Sequence, residues 1–350
     1  MKTPQLLNYE RDRWIAGDGA VEIASAIDGS PVALTGSGGL DFGAMLRHAR
    51  EVGGPALRKL TFHERARMLK ALGLAIMARK EELYELNYQT GATRKDGWID
   101  IEGGAGTLFS FSSKGRRELP DAHVLLDGQV EPLSKRGTFV GQHIYTPLQG
   151  AAVHINAFNF PVWGMLEKLA PTLLAGVPAI VKPASATAYL AEAAFRVMIE
   201  ANILPPGAIQ LIVGGVGDLF DHFTGQDVVS FTGSAHTALK LKSHPTVVRE
   251  SVRFVAEQDS LNASLLGPDA APGTPEFDLF VKEVATEMTV KAGQKCTAIR
   301  RAMAPAQYLD AVEQALAERL AKTKVGDPRA EDTRMGALVS ISQRADVRER

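Results

Sequence analysis

Between residues 149 and 260 the sequence alternates short β-branched runs with longer stretches of helical periodicity. This pattern is typical of successive βαβ units, which build a parallel sheet covered by helices. We therefore predict an α/β fold. Its strands are predicted at 151–155, 178–182, 209–213 and 228–231, and the helices between them at 163–174, 186–202 and 216–223.

The carboxyl ends of parallel strands meet at one edge of a sheet, and ligands bind beyond that edge. The segments that follow the predicted strands are therefore the first candidates for a functional site. They are residues 156–161, 182–187 and 232–235.

The first half of the chain is predicted to be mainly helical. Thr61 and Glu64 have the spacing of a capping box, and apolar residues recur at helical intervals to about Leu86. Glycines and serines loosen this pattern from 103 to 115. Residues 137–147 alternate like an exposed strand or hairpin and predict a connector between domains.

Composition excludes several classes of protein. The 350 residues carry a formal net charge of −1, which offers no broad attraction for nucleic acid or an anionic membrane. The one cysteine cannot form an intramolecular disulfide and favours a reducing compartment. Because we find neither a secretory signal nor an apolar run of bilayer length, we expect a cytoplasmic protein without nucleic-acid or membrane partners.

Residues 228–235 run from an apolar strand through Thr232, Gly233 and Ser234 into a helix-like stretch. Such a turn suits phosphate, because glycine permits close backbone approach and a helix N-terminus presents free N–H groups. An ordinary strand-to-helix turn with Ser234 as N-cap explains the segment equally well.

Cys296 lies among small and polar residues, in Gly293-Gln294-Lys295-Cys296-Thr297. A lone cysteine is more often an inert buried residue than a nucleophile, but these neighbours permit access to the thiol. A reactive thiolate requires a lowered pKa, which N–H donors, Lys295 or a bound cofactor could supply.

Glu257 ends an apolar strand-like run, and Asn159 lies among aromatic residues at another strand end. Glu257 is either a solvated surface residue or, if burial raises its pKa, a general base for water. Asn159 is either a turn residue or an amide donor to an oxyanion. Because the eight histidines are scattered, without an HExxH pair or a His/Cys cluster of ligand spacing, we predict no metal site. The sequence also lacks the GxSxG motif of serine hydrolases and a Walker phosphate loop.

Taken together, these segments resemble the aldehyde dehydrogenase superfamily. Asn159-Phe160-Pro161, Lys182-Pro183-Ala184, Phe231-Thr232-Gly233-Ser234, Glu257 and Gly293-Gln294-Lys295-Cys296 follow the order of its motifs. The resemblance implies a Rossmann-type cofactor domain, a second α/β catalytic domain and a small bridging hairpin through which the protein would form a homo-oligomer. The corresponding ranges are 1–135 with 149–257, 258–350 and 136–148.

The same resemblance implies a role for each site residue. The Cys296 thiolate would attack an aldehyde, the Asn159 amide would hold the oxyanion, and Glu257 would activate water to hydrolyse the thioester. Lys168 would assist proton transfer. The cofactor would be contacted by Phe158, Lys182, Ser185, Thr232, Gly233 and Ser234.

Three features depart from the family pattern. Ser185 replaces a glutamate that is common in members preferring NAD, so we predict NADP in preference to NAD. Gln258-Asp259 replaces the usual pair of glycines, and Phe158 replaces a common tryptophan. The sequence ends at Arg350, before the family's later motifs, so we expect the catalytic domain to be incomplete in this chain.

Within the superfamily the chain resembles the branch that oxidises CoA-linked semialdehydes after aromatic-ring opening. Phenylacetate catabolism is the first expectation, and the benzoyl-CoA pathway is the second. A CoA-acylating dehydrogenase remains an alternative that Glu257 disfavours, because thiolysis needs no base for water. An inactive cofactor-binding fragment is the non-enzymatic alternative.

Overall fold

A computed structural model describes residues 3–349 and contains thirteen strands and twelve α-helices within that range. The strands are β1 Leu7–Glu10, β2 Arg13–Ala16, β3 Val21–Ala24, β4 Pro31–Thr35, β5 Leu125–Pro132, β6 Val140–Tyr145, β7 Ala152–Ile155, β8 Ala179–Lys182, β9 Ile209–Leu211, β10 Val228–Gly233, β11 Arg253–Gln258, β12 Ala263–Leu265 and β13 Arg301–Met303. The helices are α1 Phe42–His48, α2 Gly54–Arg58, α3 Phe62–Ala78, α4 Lys80–Asn87, α5 Arg94–Glu118, α6 Pro161–Leu174, α7 Ala188–Glu200, α8 Ala235–Lys242, α9 Pro245–Arg249, α10 Pro275–Thr289, α11 Leu309–Ala321 and α12 Ile341–Glu349. Across residues 3–349, none of the helices combines the length and apolar character that a membrane crossing requires.

The central sheet has seven strands in the order β11-β10-β7-β8-β9-β1-β2. Its first five strands are parallel, and the four predicted strands are all among them. β1 and β2 extend the sheet as an antiparallel edge. The predicted α/β fold with a parallel sheet is therefore confirmed.

The crossover after β9 differs from its prediction. Residues 216–223 contain only a short 3₁₀ turn, Leu219–His222, in place of a helix. Gly217 has φ +45° and lies against the Phe42 ring, which leaves no room for a side chain at this position. This left-handed residue prevents a regular helix from starting at 216.

Helix α5 runs unbroken from Arg94 to Glu118, so the predicted loosening at 103–115 is wrong. The glycines there serve helix packing instead. A Cβ atom on Gly103 would lie 2.4 Å from the Trp163 ring, and one on Gly104 would lie 3.0 Å from the Trp163 Cα atom. The two glycines thus allow α5 to approach α6 closely, and this contact sets the position of the α6 N-terminus.

The bridging hairpin is longer than predicted. β5 pairs antiparallel with β6, so the hairpin begins at Leu125 and the range 136–148 contains only its second strand. Large apolar side chains on it are exposed within the described chain. They include Leu126, Val130, Leu133, Phe139, Val140, Ile144 and Tyr145.

The N-terminal strands β1 to β4 were not predicted. Each has four or five residues, and the β1–β2 turn uses left-handed Arg11 and Asp12, residue types that do not mark such a turn in sequence. The division at residue 258 remains a prediction. Consistent with it, a separate apolar cluster joins α10 and α11 and includes Leu266, Phe280, Val284 and Val312.

Candidate active site

Strand register brings the predicted site segments to one edge of the sheet. Ile155 is paired with Lys182 on one side and with Phe231 on the other. Thr232 at the end of β10 is paired with Glu257 at the end of β11. The residues that follow these strands therefore share the carboxyl edge, as the alternating pattern predicts.

Glu257 and Cys296 are brought together across 39 positions of sequence. Burial raises the pKa of the Cys296 thiol, and the nearby Glu257 carboxylate raises it further through its charge and a hydrogen bond. The backbone N–H groups of Thr297 and Cys296 act in the opposite direction. A thiol with a carboxylate nearby that can accept its proton has the composition of a nucleophile–base pair.

Two expectations about this pair need correction. Lys295 does not lower the pKa of the thiol, because its ammonium is paired with Glu287 at 2.7 Å. Glu257 is exposed in the described chain, so the burial expected of a general base is absent here.

The backbone around Cys296 is held by unusual local geometry. Lys291 and Ala292 both have φ +53° and Gly293 has φ +73°, which gives three left-handed residues in succession. Beyond them, the Asn262 side-chain amide donates to the carbonyl oxygens of Cys296 (2.6 Å) and Ala298 (3.1 Å). The thiol therefore lies on a constrained loop.

Helix α6 contributes Lys168 and a carboxylate that sequence reasoning missed. Lys168 Nζ donates to the Ile155 carbonyl oxygen (3.2 Å) and to Asn156 Oδ1 (2.9 Å). Burial lowers the pKa of Lys168 to about 8, while the charges of Glu167 and Glu257 oppose this shift. Glu167 accepts from Trp163 Nε1 at 2.9 Å, and burial raises the pKa of its carboxyl, with the charge of Glu257 adding to the shift.

Sequence offers only a weak signal for Glu167. It lies four residues after Trp163 on a helix that follows a candidate strand end, but most glutamates at such a position are solvated. Only the fold shows that Glu167, Lys168 and Glu257 influence one another electrostatically.

Asn159 and Phe158 lie half-buried in the loop between β7 and α6. The Phe158 carbonyl oxygen accepts from Thr187 Oγ1 at 3.2 Å, which ties this loop to the one after β8. Phe160, next to Asn159, has its ring centre 5.9 Å from Lys291 Nζ. That contact places the Asn159 loop beside the loop that carries Cys296.

The predicted phosphate turn forms the start of α8. Ser234 is its N-cap, with Oγ accepting from the Thr237 N–H. Thr232 Oγ1 is buried without a hydrogen-bond partner in residues 3–349. Asp259, left-handed at φ +52°, accepts from the Ala235 N–H at 3.2 Å and so occupies part of this helix terminus.

Lys182 and Ser185 follow β8. Burial lowers the pKa of Lys182, and its ammonium has no carboxylate partner among the described residues. Ser185 is exposed and opens onto a cleft of about 1190 Å³. The same cleft is lined by Gly214, Gly215 and residues 337–342. No group of three or more potential metal ligands occurs in the described part of the chain.

Comparison with known proteins identifies this arrangement. The sequence signature of the aldehyde dehydrogenase family matches residues 14–350. The chain belongs to the aldehyde dehydrogenase family. This membership confirms the resemblance inferred from the ordered motifs. The individual roles of Cys296, Glu257, Asn159, Lys168 and the cofactor contacts stay predictions.

Two relatives illustrate the range of similarity to this aldehyde dehydrogenase. It is 48% identical over 344 residues to 3,4-dehydroadipyl-CoA semialdehyde dehydrogenase of Aromatoleum evansii, covering 97% of this chain and 66% of that protein. It is 27% identical over 289 residues to mitochondrial succinate-semialdehyde dehydrogenase of Arabidopsis thaliana, covering 81% of this chain and 51% of that protein. The chain thus spans about half to two thirds of these relatives.

Solved structures agree on the fold. Betaine aldehyde dehydrogenase from Staphylococcus aureus, in complex with NAD⁺, superimposes with a TM-score of 0.86 at 22% identity. The match covers 98% of this chain and 66% of that one. The predicted aldehyde-dehydrogenase-like fold is confirmed by this likeness.

The contact between Glu257 and Cys296 predicts a measurable change in thiol reactivity. In a Glu257→Gln variant the pKa of Cys296 should fall, because the negative charge that disfavours the thiolate is removed. The pH dependence of alkylation by iodoacetamide measures this pKa. Glu276→Gln, at an exposed position in the first turn of α10, is the matched control. An equal alkylation midpoint in both variants would contradict the contact.

Proposed function

We propose that this aldehyde dehydrogenase oxidises a CoA-linked semialdehyde from aromatic degradation to its carboxylic acid, with NADP⁺ as oxidant. The observation that carries the proposal is the position of Glu257, at the carboxyl edge of the sheet and close enough to the Cys296 thiol to raise its pKa. The 48% identity to 3,4-dehydroadipyl-CoA semialdehyde dehydrogenase supports this substrate class.

In the first half of the reaction, Cys296 would act as the nucleophile. Its proton passes to Glu257, and the sulfur forms a bond to the aldehyde carbon while the carbonyl electron pair moves to oxygen. The Asn159 amide and the Cys296 N–H stabilise the resulting oxyanion. When bound, NADP⁺ accepts the hydride from this carbon, and the substrate becomes a thioester on Cys296.

In the second half, Glu257 would act as the base for water. Its earlier proton must leave first, and the neighbouring Lys168 and Glu167 offer a route. Glu257 then takes a proton from water as the oxygen attacks the thioester carbon. The C–S bond breaks, the acid is released, and the Cys296 thiolate is regenerated.

The residues at the sheet edge fit a phosphate-bearing nucleotide. A nucleotide would supply hydrogen-bond acceptors and negative charge to three groups here. They are the N-terminus of helix α8, the Thr232 hydroxyl, which has no partner among the described residues, and the Lys182 ammonium. Asp259 shares this terminus, so its carboxylate would have to release the Ala235 N–H when a pyrophosphate binds there. We propose NADP because Ser185 offers a hydroxyl and no negative charge to a 2′-phosphate.

We also propose that the whole protein is a homo-oligomer joined through the hairpin β5–β6. The proposal is supported by the exposed apolar side chains of this hairpin, since exposed patches of this kind mark interfaces.

Phenylacetate and benzoyl-CoA degradation are both consistent with the substrate class, and the choice between them rests on the acyl chain of the substrate.

The reaction is tested with the full-length protein, 3,4-dehydroadipyl-CoA semialdehyde and NADP⁺. We expect the acid to form without added free CoA, and Cys296→Ala to abolish cofactor reduction. At a pH above the lowered pKa of its Cys296, where the thiolate forms without a base, Glu257→Gln should retain a first-turnover burst. Its steady-state turnover should fall by roughly 10²- to 10⁴-fold, the usual contribution of a general base. A requirement for free CoA would favour the acylating alternative. Undiminished activity in Cys296→Ala would refute the proposal.

Cofactor choice is tested at Ser185. In Ser185→Glu the new carboxylate should repel a 2′-phosphate and raise KM for NADP⁺ by about tenfold or more, which corresponds to ~1.4 kcal/mol. Ser185→Ala, which removes only the hydroxyl, should have a smaller effect. The account of Ser185 would be wrong if the unchanged enzyme had a higher kcat/KM with NAD⁺ than with NADP⁺.

A further inference from the structure

Helix α5 carries two buried carboxylates one turn apart, behind the two loops that form the candidate site. Asp96 is 1% exposed and Asp100 is not exposed at all. The buried Lys291 ammonium faces both of them. These three residues play no part in the reaction steps described above, although they are the main charges behind the site.

Asp100 holds the loop that carries Asn159. Its Oδ1 accepts from the N–H groups of Val162 (3.0 Å) and Trp163 (2.7 Å) in the first turn of α6. The N-cap residue of α6, Phe160, supplies no side-chain cap of its own. The start of α6, immediately after Asn159, is therefore capped from another helix.

Asp96 holds the loop that carries Cys296. Its Oδ1 accepts from the Lys291 N–H at 3.1 Å, across 195 positions of sequence. Lys291 and Ala292 are left-handed, a conformation that residues with a Cβ atom adopt only when their surroundings enforce it. The bond from Asp96 is thus made at the strained point of this loop.

The Lys291 side chain links the loop that carries Cys296 to the loop that carries Asn159. Its ammonium donates to Thr90 Oγ1 at 3.1 Å and lies 5.9 Å from the ring centre of Phe160. Asp100 Oδ2 has no hydrogen-bond partner among the described residues. The positive charge of Lys291 therefore helps to stabilise the ionised form of this carboxyl. Burial raises the pKa of Asp100 to about 6, and the Lys291 charge acts against this rise.

We propose that Asp96, Asp100 and Lys291 form a buried ionic clamp that fixes the position of the Asn159 amide relative to the Cys296 thiol. The three residues are positioning residues, because the groups they hold belong to the loops and not to substrate. Buried charged groups contribute little net stability compared with apolar packing, but their hydrogen bonds can fix one arrangement of neighbouring elements. The inference rests on the proposed dehydrogenase function.

The decisive variant is Lys291→Met in the full-length enzyme, assayed with 3,4-dehydroadipyl-CoA semialdehyde and NADP⁺. Loss of the ammonium should lower kcat by about 100-fold, the effect expected of a small misplacement of reacting groups. KM for the cofactor and the rate of Cys296 alkylation by iodoacetamide should change little. Normalising kcat to the folded fraction, measured by circular dichroism, removes any effect of partial unfolding.

Lys80→Met is the matched control. Lys80 forms an ion pair with Glu102, also on α5, at 2.8 Å, but this pair touches neither loop. We expect the kcat of Lys80→Met to equal that of the unchanged enzyme.

Asp100→Asn is the second variant, used if Lys291→Met fails to fold. It keeps an oxygen for the two N–H donors, removes the charge, and should lower kcat by about tenfold.

A double-mutant cycle with Asn159→Ala separates positioning from general structural support. If the clamp acts through Asn159, adding Lys291→Met to the Asn159→Ala variant should lower kcat by less than about threefold. An equal loss of kcat in both backgrounds, or an unchanged kcat per folded enzyme in Lys291→Met, would overturn the clamp.

Amide hydrogen exchange tests the clamp without turnover. Lys291→Met should speed exchange in residues 160–164 and 290–293, while Lys80→Met should not. Unchanged exchange would overturn the clamp whether or not the enzyme oxidises aldehydes. Faster exchange in a protein without dehydrogenase activity would support the clamp's geometry and refute only the proposed function.

Discussion

The register of the five parallel strands is the constraint on which the rest of the site depends. It sets Ile155, Lys182, Phe231 and Ala256 at one level of the sheet, with Glu257 one residue beyond, so the loops that follow β7, β8, β10 and β11 emerge side by side. A slip of one residue would turn every side chain of a strand to the opposite face. Burial opposes such a slip, because Val153 and Ile155 of β7 and Val229 and Phe231 of β10 all face the same apolar cluster.

The electrostatics of the site show where activation of the thiol must come from. Burial and Glu257 both raise the pKa of Cys296, and Lys295 is already paired with Glu287. The described residues therefore do not hold a stable thiolate by charge. They provide a carboxylate next to the thiol, so formation of the nucleophile is best understood as proton transfer from Cys296 to Glu257 when substrate arrives.

The sequence predicts the strands and their edge because a parallel strand buried on both faces has a strong local signature. It also makes Cys296, Glu257 and Asn159 the candidate site residues, since they follow the order of the family's motifs. It does not predict the continuity of α5, because Gly103 and Gly104 look like helix breakers until their contact with Trp163 is known. Nor does the sequence predict contacts between distant positions, such as the hydrogen bond from the Lys291 N–H to Asp96. It likewise does not predict that the charge of Glu257 acts on Glu167.

The central claim is that Cys296 carries the acyl group during aldehyde oxidation. Peptide mass spectrometry of the full-length Glu257→Gln protein tests it directly. The protein is mixed with 3,4-dehydroadipyl-CoA semialdehyde and NADP⁺ at a pH above the lowered pKa of its Cys296, where the thiolate forms without Glu257, and is quenched within one turnover. The account predicts an acyl adduct on the peptide that contains Cys296, formed in proportion to reduced cofactor. Reduced cofactor without that adduct, or an adduct on a different residue, would contradict it.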